Sequence, residues 1–441
     1  MRYKKVFEYI DSRRDELIAL AKDLVAIPSV NDASDYSTDN ETNVQLFLEK
    51  TLKSYGLETD LWCEDSEQRR PNLVATLRGS GGGKNLILNG HSDVVPVMEP
   101  KKWTSPAFSP QVREGKLYGR GAVDMKGGLA AMAFAAKALI ECNIALKGNL
   151  YLEMVCGEES NQGATIGTAA TIRHGYKAPF AVVAEPTSLE IHTTSIGIML
   201  LELIIDGKAV HACCRNQAVY PQRFGMRCGP EVAVDALKKT LPFLDLLYRL
   251  EDELNLTWRH EIMGAGGVTA PDQQGVGTFS VNPSIIQGGG YRAAVCSNVK
   301  VYCNILWPYS IPMDDVVALI KKKLYALAST DSWFDEHPIE VNLPARQPWL
   351  PFYTDMKLPE ISQLCSAVES ITKKTAVVSG FRAVCDATYF MDNDIPVVIC
   401  GPGSLSSGAH GDDEFVEIEE LIQAAKIYAT FAMDQCNQTN E

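Results

Sequence analysis

In the opening 30 residues, apolar side chains recur every three or four positions, at Val6, Ile10, Leu17, Leu20, Ala21, Leu24 and Val25. That is the period of one helix face, and Pro28 ends it, so one amphipathic helix is predicted. Two β-rich runs follow, NLVATLRG (72–79) and NLILNG (85–90), with Ser80-Gly81-Gly82-Gly83-Lys84 predicted as a flexible turn joining them. The glycine run lacks the spacing of a phosphate loop and leads into a strand, which argues against nucleotide binding there. After Lys126-Gly127-Gly128 the run LAAMAFAAKALIEC reads as a buried helix; NLYLEMVC (149–156) and PFAVVA (179–184) read as strands with a helix between them. Helices alternating with strands in this way predict an α/β layered unit with a largely parallel sheet.

From about residue 196 the pattern changes. It becomes a strand (IGIMLLELIID), a helix (230–254), two strands (276–287 and 298–307), a helix (313–329) and a strand (339–343). This β-α-β-β-α-β order is the ferredoxin-like signature of a small separate domain. The α/β habit returns with a helix from about 357, a buried strand PVVIC (396–400) and a closing helix, EIEELIQAAKIYATFAM. The expected organisation is a discontinuous larger domain, 1–192 and 348–441, with 193–347 inserted into it.

Composition narrows the possible partners. Lys and Arg number 41 against 55 Asp and Glu, a formal charge of −14, which argues against a nucleic-acid or anionic-membrane surface. The longest apolar run, Leu129 to Ala136, is far shorter than the roughly 18 residues of a membrane span. Charges throughout the opening segment leave no apolar stretch for a signal peptide, so a cytoplasmic address is expected. Twelve cysteines include no C-x-x-C pair, and Cys156, Cys303 and Cys400 sit in apolar strand-like runs as small core side chains. The adjacent Cys213-Cys214 pair stands apart from these.

The candidate chemistry lies directly after buried strands: His91-Ser92-Asp93 after NLILNG, Glu158-Glu159 after NLYLEMVC, Glu185 after AVVA, and Pro402 through His410 after PVVIC. Asp124 sits in the glycine-flanked turn GRGAVDMKGG. In open α/β sheets the ligand crevice lies beyond the carboxyl ends of the strands, so these groups can converge. Taken singly, each carboxylate could serve as a turn residue, a helix cap or a solvated charge. Together, two histidines and several carboxylates suit Zn²⁺, Mn²⁺ or Co²⁺, and their number suggests two ions sharing a bridging carboxylate. Of the Glu158-Glu159 pair, one can bind metal while the other stays free to move protons. Ser404, Ser406 and Ser407 form no G-x-S-x-G elbow, and a serine nucleophile is not expected.

HSDVVPV, GRGAVDMKGG, the Glu158-Glu159 pair, AEPT and GPGSLSSGAHGDDEFV, with LVAIPSV early and DSWFDEHPIEV late, resemble the aminoacylase/acetylornithine deacetylase/succinyl-diaminopimelate desuccinylase family of di-metal (zinc) metallopeptidases. The resemblance spans essentially the whole chain. It implies a phosphorylase/hydrolase-like α/β domain with a mixed, largely parallel sheet, and an inserted ferredoxin-like lid and dimerisation domain. It also implies that His91 and Glu185 hold one metal ion, Glu159 and His410 the other, and that Asp124 bridges them. Zinc is the expected metal, with cobalt or manganese as alternatives. Asp93 is then expected to hydrogen-bond the far nitrogen of His91, and Glu158 to act as general base and acid. His211, in GKAVHA, is expected to reach the active site of the other subunit of a homodimer and stabilise the oxyanion.

In the strand VKVYCNILWP, Leu306 stands where arginine often binds a substrate α-carboxylate in this family. Arg292, expected on the adjacent strand, is assigned to replace it, with Asn304 as a second substrate-binding residue; Arg215, Arg227 and Arg382 are alternatives for the same job. The expected activity is removal of an acyl group from an N-acyl amino acid or related small amide. An exopeptidase acting on short peptides and a metal-binding homologue without turnover are the rival readings.

Overall fold

The computed structural model describes residues 2–31, 40–64, 69–219, 226–260, 262–263, 276–343 and 348–439. The opening segment forms two helices, Arg2–Ser12 and Arg14–Ala26, in place of the single expected one. The chain breaks at Arg13, and both helices still bury the predicted face, with Val6, Ile10, Leu17 and Leu24 fully enclosed.

The expected α/β sheet is present. Its strands run in the order Glu58–Cys63, Pro71–Leu77, Leu150–Val155, Leu86–His91, Ala181–Val183, Val397–Ile399, Ile191–Asp206. The middle pairs are parallel and the outer ones antiparallel. The two strands on either side of the glycine run are not neighbours, which corrects the simple-turn expectation, because Leu150–Val155 lies between them. The run packs instead on the Leu146–Gly148 connection, with Ser80 and Gly81 donating to the carbonyls of Leu146 and Lys147 at 2.9 and 2.8 Å. A Cβ on Gly148 would collide with the Lys84 carbonyl, so close backbone approach explains the glycine there.

The Ala-rich helix Gly127–Glu141 is buried almost all round, and it packs against the closing helix Ile418–Gln435. Small side chains permit that approach, and a Cβ on Gly128 would lie 2.5 Å from the Ala184 carbonyl. The helix start is thereby pinned against the strand end that carries Glu185.

The strand Ile191–Asp206 links the two parts of the molecule. Its first residues pair in parallel with Val378–Phe381, while from Ile196 onward it pairs antiparallel with Asn298–Pro308, and Glu340–Asn342 joins it on the other side. Burial follows this change: residues 191–197 are enclosed on both faces, and beyond them exposure alternates along the strand. The expected junction at 192 therefore falls inside a continuous strand, and the one at 347 lies outside the described residues. The inserted segment has its own buried cluster, built from Leu201, Leu203, Phe243, Leu247, Val301, Cys303, Ile305 and Ile320 among others. Its long helix, expected from 230, begins at Ala236, because Asp235 caps it by accepting from the amides of Leu237 and Lys238, and a short unexpected helix, Arg215–Val219, precedes it. Among the described residues no helix is long and apolar enough to cross a membrane.

Candidate metal centre

His91 is the last residue of a strand buried along its whole length, so its side chain emerges at the carboxyl edge of the sheet. The parallel neighbours end at the same edge and deliver Glu158-Glu159 and Glu185. Asp124 sits in the turn Ala122–Lys126, where the peptide to Met125 is cis. Glu414 holds this turn in place: its carboxylate accepts from the amides of Val123 and Asp124 at 2.9 and 3.2 Å and from the Arg120 guanidinium at 2.6 Å. His410 arrives from the loop after Val397–Ile399 with φ +61°, a left-handed conformation uncommon for a non-glycine residue.

The result is one carboxylate facing two imidazoles. Asp124 Oδ1 lies 3.1 Å from His91 Nε2, and Asp124 Oδ2 lies 3.4 Å from His410 Nε2. Glu185 flanks His91 at 3.4 Å and Glu159 flanks His410 at 3.2 Å. Ligand atoms of His91, Asp124 and Glu159 all fall within 4.8 Å of one another. Of these groups only His410 has a substantially exposed side chain.

So many acids in so little water disturb one another. Burial, and then the Asp124 charge, push Glu159 and Glu185 up to about 7, against the pull of the histidines. For Asp124 burial acts in the same direction, yet hydrogen bonds from His410 and His91 outweigh it and hold the carboxyl well below its usual range. Hydrogen bonds to Asp124 and Glu159 raise His410 to about 10. Burial alone would lower His91, but Asp124 and Glu185 hold it well above its usual value. The cluster thus demands positive charge, which a divalent cation supplies more compactly than protons do.

A buried network supports the cluster. His91 Nδ1 bonds the backbone carbonyl of Asp93 at 3.0 Å, while the Asp93 carboxylate stands 3.7 Å away; the expected contact to this residue is made by its main chain. The carboxylate instead accepts from Asn31 Nδ2 at 2.7 Å and from the Glu159 amide at 2.9 Å. Asn31 also donates to Glu41 at 2.7 Å, and Glu41 is paired with Arg70 at 2.9 Å and accepts the Gly157 amide at 3.1 Å. Arg70 reaches on to Ser160 at 3.0 Å and to Gln162. Asn31, Glu41 and Arg70 are not anticipated from the sequence, where no motif or spacing ties them to the centre; Glu414 lies within GPGSLSSGAHGDDEFV, four residues after His410, and that proximity is the signal that could have found it.

Glu158 lines a cavity of about 400 Å³ with Asp124, Glu159, Glu185 and His410. The opposite walls are apolar, formed by Ile198, Trp349, Phe381, Val384 and Leu405 among others. Burial first, then repulsion from Glu159, Glu185 and Asp386, push Glu158 well above the usual carboxylate range, despite the pull of His91.

Three anticipated residues lie elsewhere in the single chain. His211 is exposed, with Nδ1 turned to Cys213, and does not line the cavity. Arg292 is exposed on the connection after Ser280–Gly288, not on a strand as expected, because the chain turns at Gly289 and leaves the ladder. Ala294 pairs with His211, so both residues belong to one surface. Asn304 is half-buried on the face of its strand opposite Cys303 and Ile305 and does not line the cavity. Leu306 stands in register with Ile198, which forms part of the cavity wall.

Residues 87–434 match the profile of peptidase family M20/M25/M40. The chain belongs to this family. M20/M25/M40 proteins are dinuclear metal hydrolases acting on amide bonds, and this chain is a hydrolase of that kind. It is 28% identical over 443 residues to an N-formyl-4-amino-5-aminomethyl-2-methylpyrimidine deformylase of Halalkalibacterium halodurans, covering 98% of this chain and 97% of that protein. It is 27% identical over 404 residues to an acetylornithine deacetylase of Proteus mirabilis, covering 91% and 92%. Among solved structures a di-peptidase of Saccharomyces cerevisiae has the same fold, with a TM-score of 0.72 at 15% identity, covering 100% of this chain and 99% of that one.

Proposed function

We propose that this M20/M25/M40 protein removes a small acyl group from an N-acyl amino acid or related small amine, using two divalent metal ions, with zinc as the first choice. The observation that carries the reading is Asp124, whose two oxygens face two different imidazoles, each flanked by its own glutamate. The donors fit the metals: imidazole nitrogens and carboxylate oxygens suit Zn²⁺, Mn²⁺ or Co²⁺, and the buried Glu159 Oε1 has no hydrogen-bond partner among the described residues. In this reading His91 and Glu185 hold one ion, Glu159 and His410 the other, with Asp124 between them and residues 1–192 and 348–441 forming the catalytic domain. Bound metal supplies Lewis acidity, polarising the amide carbonyl and lowering the pKa of water.

The chain's own groups perform the rest. Glu158 takes a proton from the attacking water and returns it to the leaving nitrogen, a role suited to a carboxyl whose burial favours holding a proton. The Asp93 main-chain carbonyl fixes the His91 ring, and the Asp93 carboxylate positions the Glu159 backbone. Trp349 and Phe381 exclude water and pack the apolar part of the substrate. His211 serves as oxyanion donor from a second copy, with 193–347 as the lid and dimerisation domain, and Arg292 and Asn304 engage substrate from that domain.

The deciding experiment is a hydrolysis panel of N-formyl, N-acetyl and N-succinyl amines and amino acids against dipeptides, run with Zn²⁺, Mn²⁺ and Co²⁺. Chelator-sensitive release of amine from an N-acyl substrate is expected, and Glu158→Gln is expected to reduce it about 10²–10⁴-fold with metal content unchanged. Preference for dipeptides replaces the reading with an exopeptidase, and absence of turnover on the whole panel replaces it with a non-catalytic metal protein.

A further inference from the structure

Beside His211 lies a group of side chains that hydrolysis does not use. Cys213 and Cys214 occupy the short turn Ala212–Cys214 on the surface of the inserted segment. Cys213 Sγ lies 3.0 Å from His211 Nδ1, and the Cys213 amide also points to that nitrogen at 3.3 Å. The two sulfurs are 3.9 Å apart. Cys213 is exposed and Cys214 half-buried, whereas Cys142, Cys156, Cys303, Cys385, Cys400 and Cys436 are enclosed in the protein.

Two consequences follow from the geometry. A ring nitrogen that accepts an amide N–H carries no proton, so neutral His211 holds its proton on Nε2 and presents that atom as a donor. The same Nδ1 lone pair faces the Cys213 thiol and can take its proton, which generates the nucleophilic thiolate.

We propose that Cys213-Cys214 is a redox-modification site whose oxidation by a hydroperoxide to an adjacent-residue disulfide disarms His211. The proposal rests on the reading that His211 serves the hydrolysis. His211 Nδ1 takes the Cys213 proton, and the thiolate sulfur attacks the peroxide. The O–O bond breaks, a Cys213 S–OH bond forms, and the imidazolium returns its proton to the leaving oxygen, which departs as alcohol or water. Cys214 sulfur then attacks Cys213 sulfur, the S–O bond breaks, and the hydroxyl leaves as water with the Cys214 proton. Two thiols lose two electrons in total and one peroxide gains them. Adjacent Cα atoms stand about 3.8 Å apart, closer than the usual spacing of roughly 4.4–6.8 Å for a disulfide. The bond is therefore strained and easily reduced, as a switch requires. Once it forms, the S–H donor to Nδ1 is gone and the turn that holds the ring shifts.

The test treats the reduced, zinc-loaded full-length protein with stoichiometric hydrogen peroxide, then alkylates free thiols and maps peptides. Loss of two hydrogens confined to Cys213-Cys214 is expected, with kcat on the best panel substrate falling about 10- to 100-fold, KM nearly constant, and both effects reversed by dithiothreitol. Cys214→Ser keeps the reduced protein's kcat, shows no such loss, and gives a dimedone adduct at Cys213. ¹⁵N NMR of labelled histidine reports His211 leaving the Nε2–H tautomer on oxidation, a readout independent of turnover. The proposal is overturned if both thiols remain alkylatable, if the cross-link runs to Cys228, or if the disulfide forms while kcat and the tautomer stay unchanged. Failure of the hydrolase reading shows separately, as absence of chelator-sensitive turnover in the reduced protein.

Discussion

The edge of the central sheet and the surface around His211 carry residues from the same motif set, yet they are built differently. At the sheet edge, His91, Asp124, Glu159, Glu185 and His410 meet within one chain, and most are enclosed by a network reaching back to Asn31, Glu41 and Arg70. Around His211 the side chains are exposed or half-buried; among the described residues its ring hydrogen-bonds only the nearby Cys213, and a single backbone bridge to Ala294 ties the turn to a distant segment. A strand end is fixed by the ladder beneath it, so a side chain there arrives in place as the sheet forms. A residue on an exposed turn is held only by the few groups beside it, as His211 is by Cys213.

The sharpest way to break this contrast is at the shared carboxylate. Asp124→Asn is expected to lower kcat/KM by about 10³-fold or more and to reduce bound metal as measured by atomic emission, because it removes charge from both donor sets at once. Retention of both ions would mean that the centre is not organised around Asp124. His211→Ala tests the other region: kcat should fall about 10²–10³-fold with full metal content, as for loss of an oxyanion donor. Mixing it with Glu158→Gln, under conditions that exchange subunits, should restore part of the activity if His211 acts across a dimer. No recovery would place its action within its own chain.

A smaller effect is expected from the support layer. Glu41→Gln keeps the shape but weakens the pairing with Arg70, so metal affinity should drop about 10- to 100-fold in a competition titration while substrate preference stays constant. The smallest effect lies beneath the centre, where burial pushes Glu153 up to about 8 although Asn89 donates to it at 2.9 Å. Its folded-state pKa exceeds the unfolded value, so the native state binds more protons between about pH 4.5 and 8 and loses stability as pH rises through that window. Glu153→Gln should therefore raise Tm by about 2–4 °C at pH 8 and leave it nearly unchanged at pH 4.5 in thermal scans. An equal gain at both pH values would assign the effect to packing.

Much of this contrast was legible in the chain itself. Long buried runs such as NLILNG and NLYLEMVC announce their strands, and the polar residues directly after them are the ones that meet. Short elements were not legible: Val378–Phe381 is four residues including Ser379 and Gly380, too few and too mixed to show a period, yet it completes the sheet beside Ile191–Asp206. Strand neighbours were not legible either, and the glycine run 80–84 shows why, since a turn signal states that the chain bends but not which strand fills the gap. Arg292 was placed on a strand by sequence proximity, whereas the turn at Gly289 removes it from the ladder.

By itself, then, the sequence determined the two architectures and the chemistry of the sheet edge, because hydrophobic period and residue type are local properties. Tertiary structure alone decided that Asp124 divides its oxygens between two histidines, that the main chain of Asp93 holds His91, and that Glu41 and Arg70 stand behind them. Apart from the short-range bond between Asp93 and His91, those contacts join segments tens to hundreds of residues apart, and their distances exist only once the sheet has closed around them.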